Sequence, residues 1–206
     1  MVCISRCSSP FMACISPFVV CISPFMLCIS PFSSSRLACC SCLQAASAGN
    51  LQELQRMLLC GANINACDSR GKTAVIEAVE HGHEECLATL MAFGADLDIA
   101  DNRGWTAVMH AAFRGHTACL QLLIHHRADV DREDYFGTTP LIRAAISGHV
   151  ECVHLLLDSG ANPHKRDKQL GIAAVGHAVR KGHFSCAVAM KRQLCSSGAQ
   201  HLLGDL

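Results

Sequence analysis

Twelve histidines and fifteen cysteines are the residues of this 206-residue chain best suited to chemistry, as metal ligands, proton carriers or nucleophiles. His125, His126 and His154 have no cysteine or carboxylate at metal-ligand spacing, and the C-x-x-C of Cys39–Cys42 has no matching second pair. The sequence contains no Gly-rich phosphate loop, no G-x-S-x-G elbow and no H-E-x-x-H motif. We therefore predict a non-enzymatic chain, without catalytic residues, cofactor or metal.

Several histidines, together with nearby glycines, aspartates and threonines, recur along the chain with a period of about 33 residues. A Gly-His pair recurs at this interval and contains His83, His116, His149 and His183. Aspartates and threonines keep the same interval, as Asp68, Asp101 and Asp134 and as Thr73, Thr106 and Thr139. A period of this length predicts a stack of supersecondary units, since none of them can bury its apolar face alone.

Each unit is predicted to contain two helices and an extended finger. The threonines stand where the first helix should begin, because a hydroxyl there accepts a hydrogen bond from an otherwise unpaired backbone N–H. The glycines that end this helix in the left-handed conformation are Gly82, Gly115, Gly148 and Gly182. The second helix has one apolar stripe, for example Cys119, Leu120 and Leu123, and a Gly-Ala pair such as Gly94-Ala95 turns the chain into the finger.

The segment 134–149, D-Y-F-G-T-T-P-L-I-R-A-A-I-S-G-H, resembles the ankyrin repeat, whose pattern is D-x-x-G-x-T-P-L-H-x-A-A-x-x-G-H. This resemblance implies an all-α repeat solenoid of helix–turn–helix units with short β-hairpin fingers. It also implies a structural hydrogen-bonding role for the Gly-His histidines. The predicted domain spans residues 41–198, between an extension (1–40) and a tail (199–206). Its repeats are 41–67 (partial), 68–100, 101–133, 134–166 and 167–198, the last irregular with one extra residue before Gly171.

Four cysteines share one position of the repeat: Cys86, Cys119, Cys152 and Cys186. Stacked helices would hold them on the order of 10 Å apart, which is too far for a disulfide, because that bond needs Cα atoms within about 7 Å. We interpret them as small buried hydrophobic residues. Unpaired thiols in a core favour a reducing compartment, so the predicted location is the cytoplasm or the nucleus.

Residues 7–34 form a low-complexity stretch of Cys, Ser, Pro and Phe with a period of seven. One proline per period, at Pro10, Pro17, Pro24 and Pro31, breaks any helix. These prolines exclude a coiled coil and argue against a stable membrane span, which needs about 20 continuous apolar residues. The preferred interpretation of residues 1–40 is a disordered extension, with a signal peptide or palmitoylated cysteines as alternatives.

The distribution of charge limits the classes of partner that this chain is expected to bind. The formal net charge is zero and half of the residues are apolar, which disfavours global disorder and bulk nucleic-acid binding. Residues 50–134 carry 13 acidic and 7 basic side chains, whereas residues 135–206 carry 4 acidic and 8 basic ones. This gradient either orients a partner or reflects solvated faces of no special meaning.

The ankyrin resemblance implies that finger tips and first helices form a concave binding face. The residues that are polar on this face, where the family tends to carry Leu, are Glu77, His110, Arg143 and His177. Large aromatic residues and Arg dominate binding hot spots. The predicted partner-binding residues are therefore Trp105, His110, Phe113, Arg114, Tyr135, Phe136 and Arg143. The alternative is that Phe113 and Phe136 only cover the flank of the stack.

These features predict a monomeric, non-catalytic protein-interaction module, acting as scaffold, adaptor or inhibitor on a protein partner. One alternative is a substrate-recruiting adaptor of a ubiquitin ligase, which would need a longer form, since about a dozen residues follow the stack. Another alternative is regulation by asparaginyl hydroxylation. Asn65 occupies the finger position that is modified in similar proteins, and Asp98, Asp131 and His164 replace it in the other repeats.

Overall fold

The structure is a computed structural model that describes the backbone of residues 35–203 and the side chains of residues 42–193. Contacts group the described residues into one compact unit. The predicted low-complexity extension (1–40) lies almost wholly outside the described residues. Helical structure nevertheless begins at Ser35, inside the segment assigned to that extension, and the last helix continues to Leu203, inside the predicted tail.

Residues 35–203 form ten helices arranged as five consecutive pairs. The first helices of the pairs are α1 (Ser35–Ala48), α3 (Ala74–His81), α5 (Ala107–Arg114), α7 (Pro140–Ser147) and α9 (Ala174–Lys181). The second helices are α2 (Leu51–Leu59), α4 (Glu84–Ala92), α6 (Thr117–His125), α8 (Val150–Asp158) and α10 (Phe184–Leu203). First helices pack on neighbouring first helices and second helices on neighbouring second helices, which confirms the predicted all-α solenoid.

The beginnings and ends of the first helices follow the residues that recur along the chain. Thr73 accepts a hydrogen bond from the backbone N–H of Ile76 at 3.3 Å, and Thr139 accepts the equivalent bond from Ile142 at 3.4 Å. Thr106 occupies the same position, but its buried hydroxyl has no hydrogen-bond partner among the described residues, so the predicted cap is wrong there. The glycines Gly82, Gly115, Gly148 and Gly182 all end their helices in the left-handed conformation, as predicted.

The fingers are reverse turns built around aspartates, and no strand forms within residues 35–203. Isolated bridges close two of these fingers, Cys67 to Thr73 and Arg166 to Ala173. In the finger of residues 101–105, the Asp101 carboxylate accepts hydrogen bonds from the backbone N–H groups of Arg103 and Trp105, both at 2.9 Å. The side chain therefore fixes the turn locally, and the predicted hairpins are too short to become strands.

The core lies between the two helix layers. Leu87, Leu120 and Leu156 on the second helices are fully buried. The cysteines Cys86, Cys119, Cys152 and Cys186 are also buried and form no disulfide, which confirms their interpretation as small hydrophobic residues. Burial raises the pKa of Cys119 and of Cys152 to about 11, so these thiols stay protonated and inert at neutral pH.

The Gly-His histidines connect each repeat to the one before it. Nε2 of these rings hydrogen-bonds a carbonyl oxygen near the end of the preceding first helix: His83 to Ser47, His116 to Glu80, His149 to Phe113 and His183 to Ile146, over 3.0 to 3.2 Å. Each ring also lies against the glycine of that preceding repeat. A Cβ on Gly115, for example, would be 2.5 Å from Nδ1 of His149.

We expect Gly115→Ala to destabilise the stack more than Gly94→Ala does. Both glycines are left-handed, with φ of +78° and +80°, so both substitutions strain the backbone by about 1 kcal/mol. A Cβ on Gly94 meets nothing within 4 Å, whereas one on Gly115 displaces His149. The displacement should add about 1 to 3 kcal/mol, the usual cost of overpacking. Urea unfolding followed by circular dichroism measures both values, and equal losses would contradict the structural role of His149.

Candidate functional site

A row of polar side chains runs along the face formed by the fingers together with α3, α5, α7 and α9, here called the finger–helix face. The row consists of Glu77, His110, Arg143 and His177, one from each of these helices. Glu77, His110 and His177 are buried, and the Arg143 side chain is only 15% exposed. Buried charges and imidazoles need partners, and the fingers supply most of them.

His110 and Arg143 are each paired with the aspartate that organises their own finger. His110 Nε2 lies 3.1 Å from Oδ2 of Asp101, and Arg143 donates a hydrogen bond to Oδ2 of Asp134, whose carboxylate is fully buried. Because a carboxylate can only accept, His110 must donate from Nε2. Burial lowers the pKa of His110, and the Asp101 carboxylate only partly offsets this, so the imidazole is neutral at pH 7.

Glu77 is the one acidic residue of this row, and two cations of its own finger lie close to its carboxylate. Arg70 lies 3.1 Å from Oε1 of Glu77, and Lys72 lies 3.5 Å from the same oxygen. Arg70 also pairs with Asp68 at 2.9 Å. The finger of this repeat is therefore held to α3 by cations of the finger and a carboxylate of the helix, the reverse of the Arg143–Asp134 pair two repeats later.

Glu80 extends this network from one repeat to the next. It accepts hydrogen bonds from Lys72 in its own repeat and from Arg114 on α5. Burial alone would raise the pKa of Glu80, but these two cations outweigh it and hold the pKa at about 2. Glu80 is thus ionised under ordinary conditions and connects two adjacent first helices.

Trp105 lies inside this face and not at an exposed tip. Its side chain is 8% exposed. The ring centroid lies 5.1 Å from that of His110 and 5.3 Å from that of Phe113, and the Arg143 guanidinium stacks over it at 4.1 Å. Four of the seven predicted partner-binding residues therefore form one packed cluster, in which Arg143 makes a cation–π contact across a repeat boundary.

The remaining three predicted residues are accessible. Tyr135 is 70% exposed and Phe136 is 47% exposed, both on the finger of residues 134–139, while 48% of the Arg114 side chain is exposed. The next finger adds Leu170, which is 51% exposed, and its Lys168 N–H donates to the carbonyl of Phe136 at 2.8 Å. An apolar patch thus spans two hydrogen-bonded fingers. The sequence reasoning missed Leu170, because the extra residue in its finger displaces it from the repeating pattern.

Two cavities open on the finger–helix face and share Arg103 and Trp105 as a common wall. The first, of about 460 Å³, also contacts Lys72, Glu80, His110 and Arg114. The second, of about 450 Å³, continues over Phe136, Arg143, Ile146 and His177. The polar groups of the first cavity are largely paired with one another, as described above. In the second, Arg143 donates to Asp134 through a terminal nitrogen, and His177 Nε2 lies 3.3 Å from Oδ1 of Asp167.

Asn65 belongs to a series of hydrogen bonds that joins the bases of neighbouring fingers. Its Oδ1 accepts a hydrogen bond from the backbone N–H of Asp96 at 3.0 Å. Asp98 accepts the same bond from Asp129 one repeat later, at 3.1 Å. The position therefore connects adjacent repeats, and the half-buried Asn65 uses its side-chain oxygen for this purpose. Its hydroxylation stays a prediction.

The described residues contain neither a metal-binding cluster nor a membrane-spanning helix. No group of three or more His, Cys, Asp or Glu side chains there is placed to hold a metal ion. No helix in the described part of the chain is both long and apolar enough to cross a membrane.

Comparison with known proteins identifies a family. The family model described as ankyrin repeats matches the chain in three copies, over residues 42–134, 90–167 and 132–201. No curated protein sequence matches it. The matched segments together span residues 42–201, from within α1 to within α10, and include all the fingers described above.

We expect Trp105→Ala to destabilise the protein and Tyr135→Ala to leave its stability unchanged. Removing a buried tryptophan leaves a large void and costs about 3 to 5 kcal/mol, whereas an exposed substitution stays within about 0.5 kcal/mol. Urea unfolding followed by far-ultraviolet circular dichroism measures both. A Trp105→Ala loss no larger than that of Tyr135→Ala would contradict the packed cluster.

Acidification should destabilise the fold through His110. Its folded pKa lies below the usual 6.5 of the unfolded chain, so the unfolded state takes up the proton first. The free energy of unfolding that His110 contributes is therefore complete above pH 6.5 and is lost as the pH falls below that value. For one proton the loss is no more than about 1.4 kcal/mol per pH unit. His110→Gln should therefore flatten the decline in stability between pH 7.5 and 5.5. The matched control is His126→Gln, which removes an exposed imidazole; equal flattening in both variants would refute a specific role of His110.

Proposed function

This chain belongs to the ankyrin repeat family, whose repeats are generally protein–protein interaction modules, and on that premise we propose that it binds a protein partner through its finger–helix face. In this proposal the chain is not an enzyme but a monomeric scaffold, adaptor or inhibitor. The observation that supports this most directly is the exposed patch of Tyr135, Phe136 and Leu170 on two neighbouring fingers. Exposed aromatic side chains of this size are typical anchors of an interface.

The surroundings of the patch favour binding without rearrangement. Asp134 and Asp167 fix their fingers through hydrogen bonds to backbone N–H groups. Arg143, stacked on Trp105, ties the first of these fingers to α7. A surface that is already ordered loses little conformational entropy when a partner docks, and this raises affinity.

The proposed location is the cytoplasm or the nucleus. The supporting observation is that Cys86, Cys119, Cys152 and Cys186 are buried in the core without disulfides. Buried reduced thiols are compatible with a reducing compartment and need no oxidising one to fold.

Affinity capture with the full-length chain tests the proposed binding face. Partners enriched by the wild-type protein should be lost, by about tenfold or more, with the double variant Tyr135→Ala/Phe136→Ala, because each anchor contributes on the order of 1 to 2 kcal/mol. Circular dichroism should show an unchanged melting curve for this variant, since both side chains are exposed.

The matched control is Leu59→Ala, which removes a 71% exposed apolar side chain at the end of the second helix α2, away from the finger–helix face. This variant should capture the same partners as the wild type. Equal capture by the wild type and by the double variant would refute the proposed face.

A further inference from the structure

We infer that the finger tips bind one extended segment of the protein partner, with acidic side chains over the first two fingers and an apolar side chain over the last two. The inference rests on the proposed function and names the chemistry of the segment that the finger–helix face takes. The fingers that begin at Asp68, Asp101, Asp134 and Asp167 are here called fingers 1 to 4.

The tip residue two positions after the finger aspartate changes its chemistry once along the stack. It is an arginine in fingers 1 and 2, Arg70 and Arg103, and a phenylalanine in finger 3, Phe136. Finger 4 carries Gln169 at this position, followed by Leu170, which is 51% exposed. One half of the finger row therefore has basic tips, and the other half has apolar tips.

Backbone hydrogen bonds group the fingers into the same two halves. The N–H of Asn102 donates to the carbonyl of Arg70 at 2.9 Å, which joins finger 1 to finger 2. The N–H of Lys168 donates to the carbonyl of Phe136 at 2.8 Å, which joins finger 3 to finger 4. Among the described residues, no backbone–backbone hydrogen bond joins finger 2 to finger 3. Each half is thus an ordered surface with its own chemistry.

Arg103 is the accessible donor of the basic half. It is exposed at the wall of the first cavity, and among the described residues its guanidinium has no ion-pair partner. Arg70 and Arg114 line the same cavity and have 66% and 48% of their side chains exposed, although each is already paired with a carboxylate. A guanidinium can only donate, and its planar fork fits the two oxygens of a carboxylate. An acidic side chain is therefore the matching guest.

The acids of this region lie beneath the arginines. Glu80 and Asp101 also line the first cavity, but only 14% and 4% of their side chains are exposed. Lys72 and Arg114 donate to Glu80, and two backbone N–H groups donate to Asp101. A guest at the outer edge of the cavity contacts the guanidinium groups and stays further from these carboxylates. Because Coulomb energy falls with distance, attraction outweighs repulsion there.

The spacing of the repeats determines the spacing of the side chains that the segment supplies. Neighbouring fingers follow the stacked helices and lie on the order of 10 Å apart, and an extended chain rises about 3.3 Å per residue. One side chain in about every three residues therefore meets a finger. The fitting segment has two acidic residues about three positions apart, and an aliphatic or aromatic residue about three positions beyond them, in either chain direction.

A phage-displayed library of random 12-residue peptides, selected on the full-length chain, tests this inference. Selected peptides should be enriched in paired Asp or Glu residues on one side of an apolar residue. A synthetic consensus peptide should lose about tenfold in affinity when Gln replaces both acidic residues, because the charge-assisted hydrogen bonds are weakened. Calorimetry measures this loss. Tyr135→Ala/Phe136→Ala should weaken the Glu and Gln peptides by the same factor, since it removes only the apolar contact.

Arg103→Ala should weaken the Glu peptide about threefold and leave the Gln peptide unchanged, since it removes one exposed charge pair. Arg103→Lys, which keeps the charge but not the planar fork, should retain part of the Glu preference. Arg103→Ala should melt like the wild type, because the guanidinium gives up no ion pair of the fold. The matched control is Arg192→Ala, which removes an exposed arginine on the second helix α10 and should leave both affinities unchanged.

Several results would overturn the inference. They are selection without acidic enrichment, equal binding of the Glu and Gln peptides, a Glu preference that Arg103→Ala leaves intact, or about tenfold tighter binding when phosphoserine replaces Glu. Selection of no peptide at all also counts against it. Partner capture that is lost with Tyr135→Ala/Phe136→Ala and kept with Arg103→Ala would refute the acidic contact and leave the proposed function intact, so the two failures are distinguishable.

Discussion

This structure depends on one contact that recurs in every repeat: a histidine ring packs against the glycine that ends the first helix of the preceding repeat. The histidine reaches a carbonyl at the end of the preceding first helix, as His149 does with Phe113 at 3.2 Å. Its ring fills the space that a side chain on Gly115 would need. A helix pair of 8 and 9 residues has little core of its own. Neighbouring pairs must therefore be held in register, and the Gly-His contact provides that register.

The polar row on the finger–helix face follows from this register. Because the fingers stack at fixed spacing, each finger aspartate stands opposite the same position of its first helix, and that position is polar in every repeat from Glu77 to His177. Buried pairs of this kind add little net stability compared with apolar packing. Here the pairs orient the fingers. Arg143 and His110 fix their fingers to the helices and enclose Trp105 between them.

The periodic positions form the scaffold, and the departures from periodicity give this chain its individual chemistry. Tyr135 and Phe136 stand on a finger whose framework is ordinary. The finger with one extra residue before Gly171 carries the exposed Leu170, and its Asp167 lies 3.3 Å from His177. The exposed apolar patch lies at this transition between regular and irregular repeats.

Sequence patterns were sufficient to predict the helix pairs, the glycine ends and the buried cysteines, because these depend on residues close together in the chain or on a constant repeat interval. They also located Tyr135 and Phe136 on a finger. The burial of Trp105 could not be predicted in this way, since the side chains that cover it, Phe113 and Arg143, come from two different helices. The Glu80–Arg114 pair was equally inaccessible from the sequence, because side-chain geometry between repeats is set by packing and not by spacing along the chain.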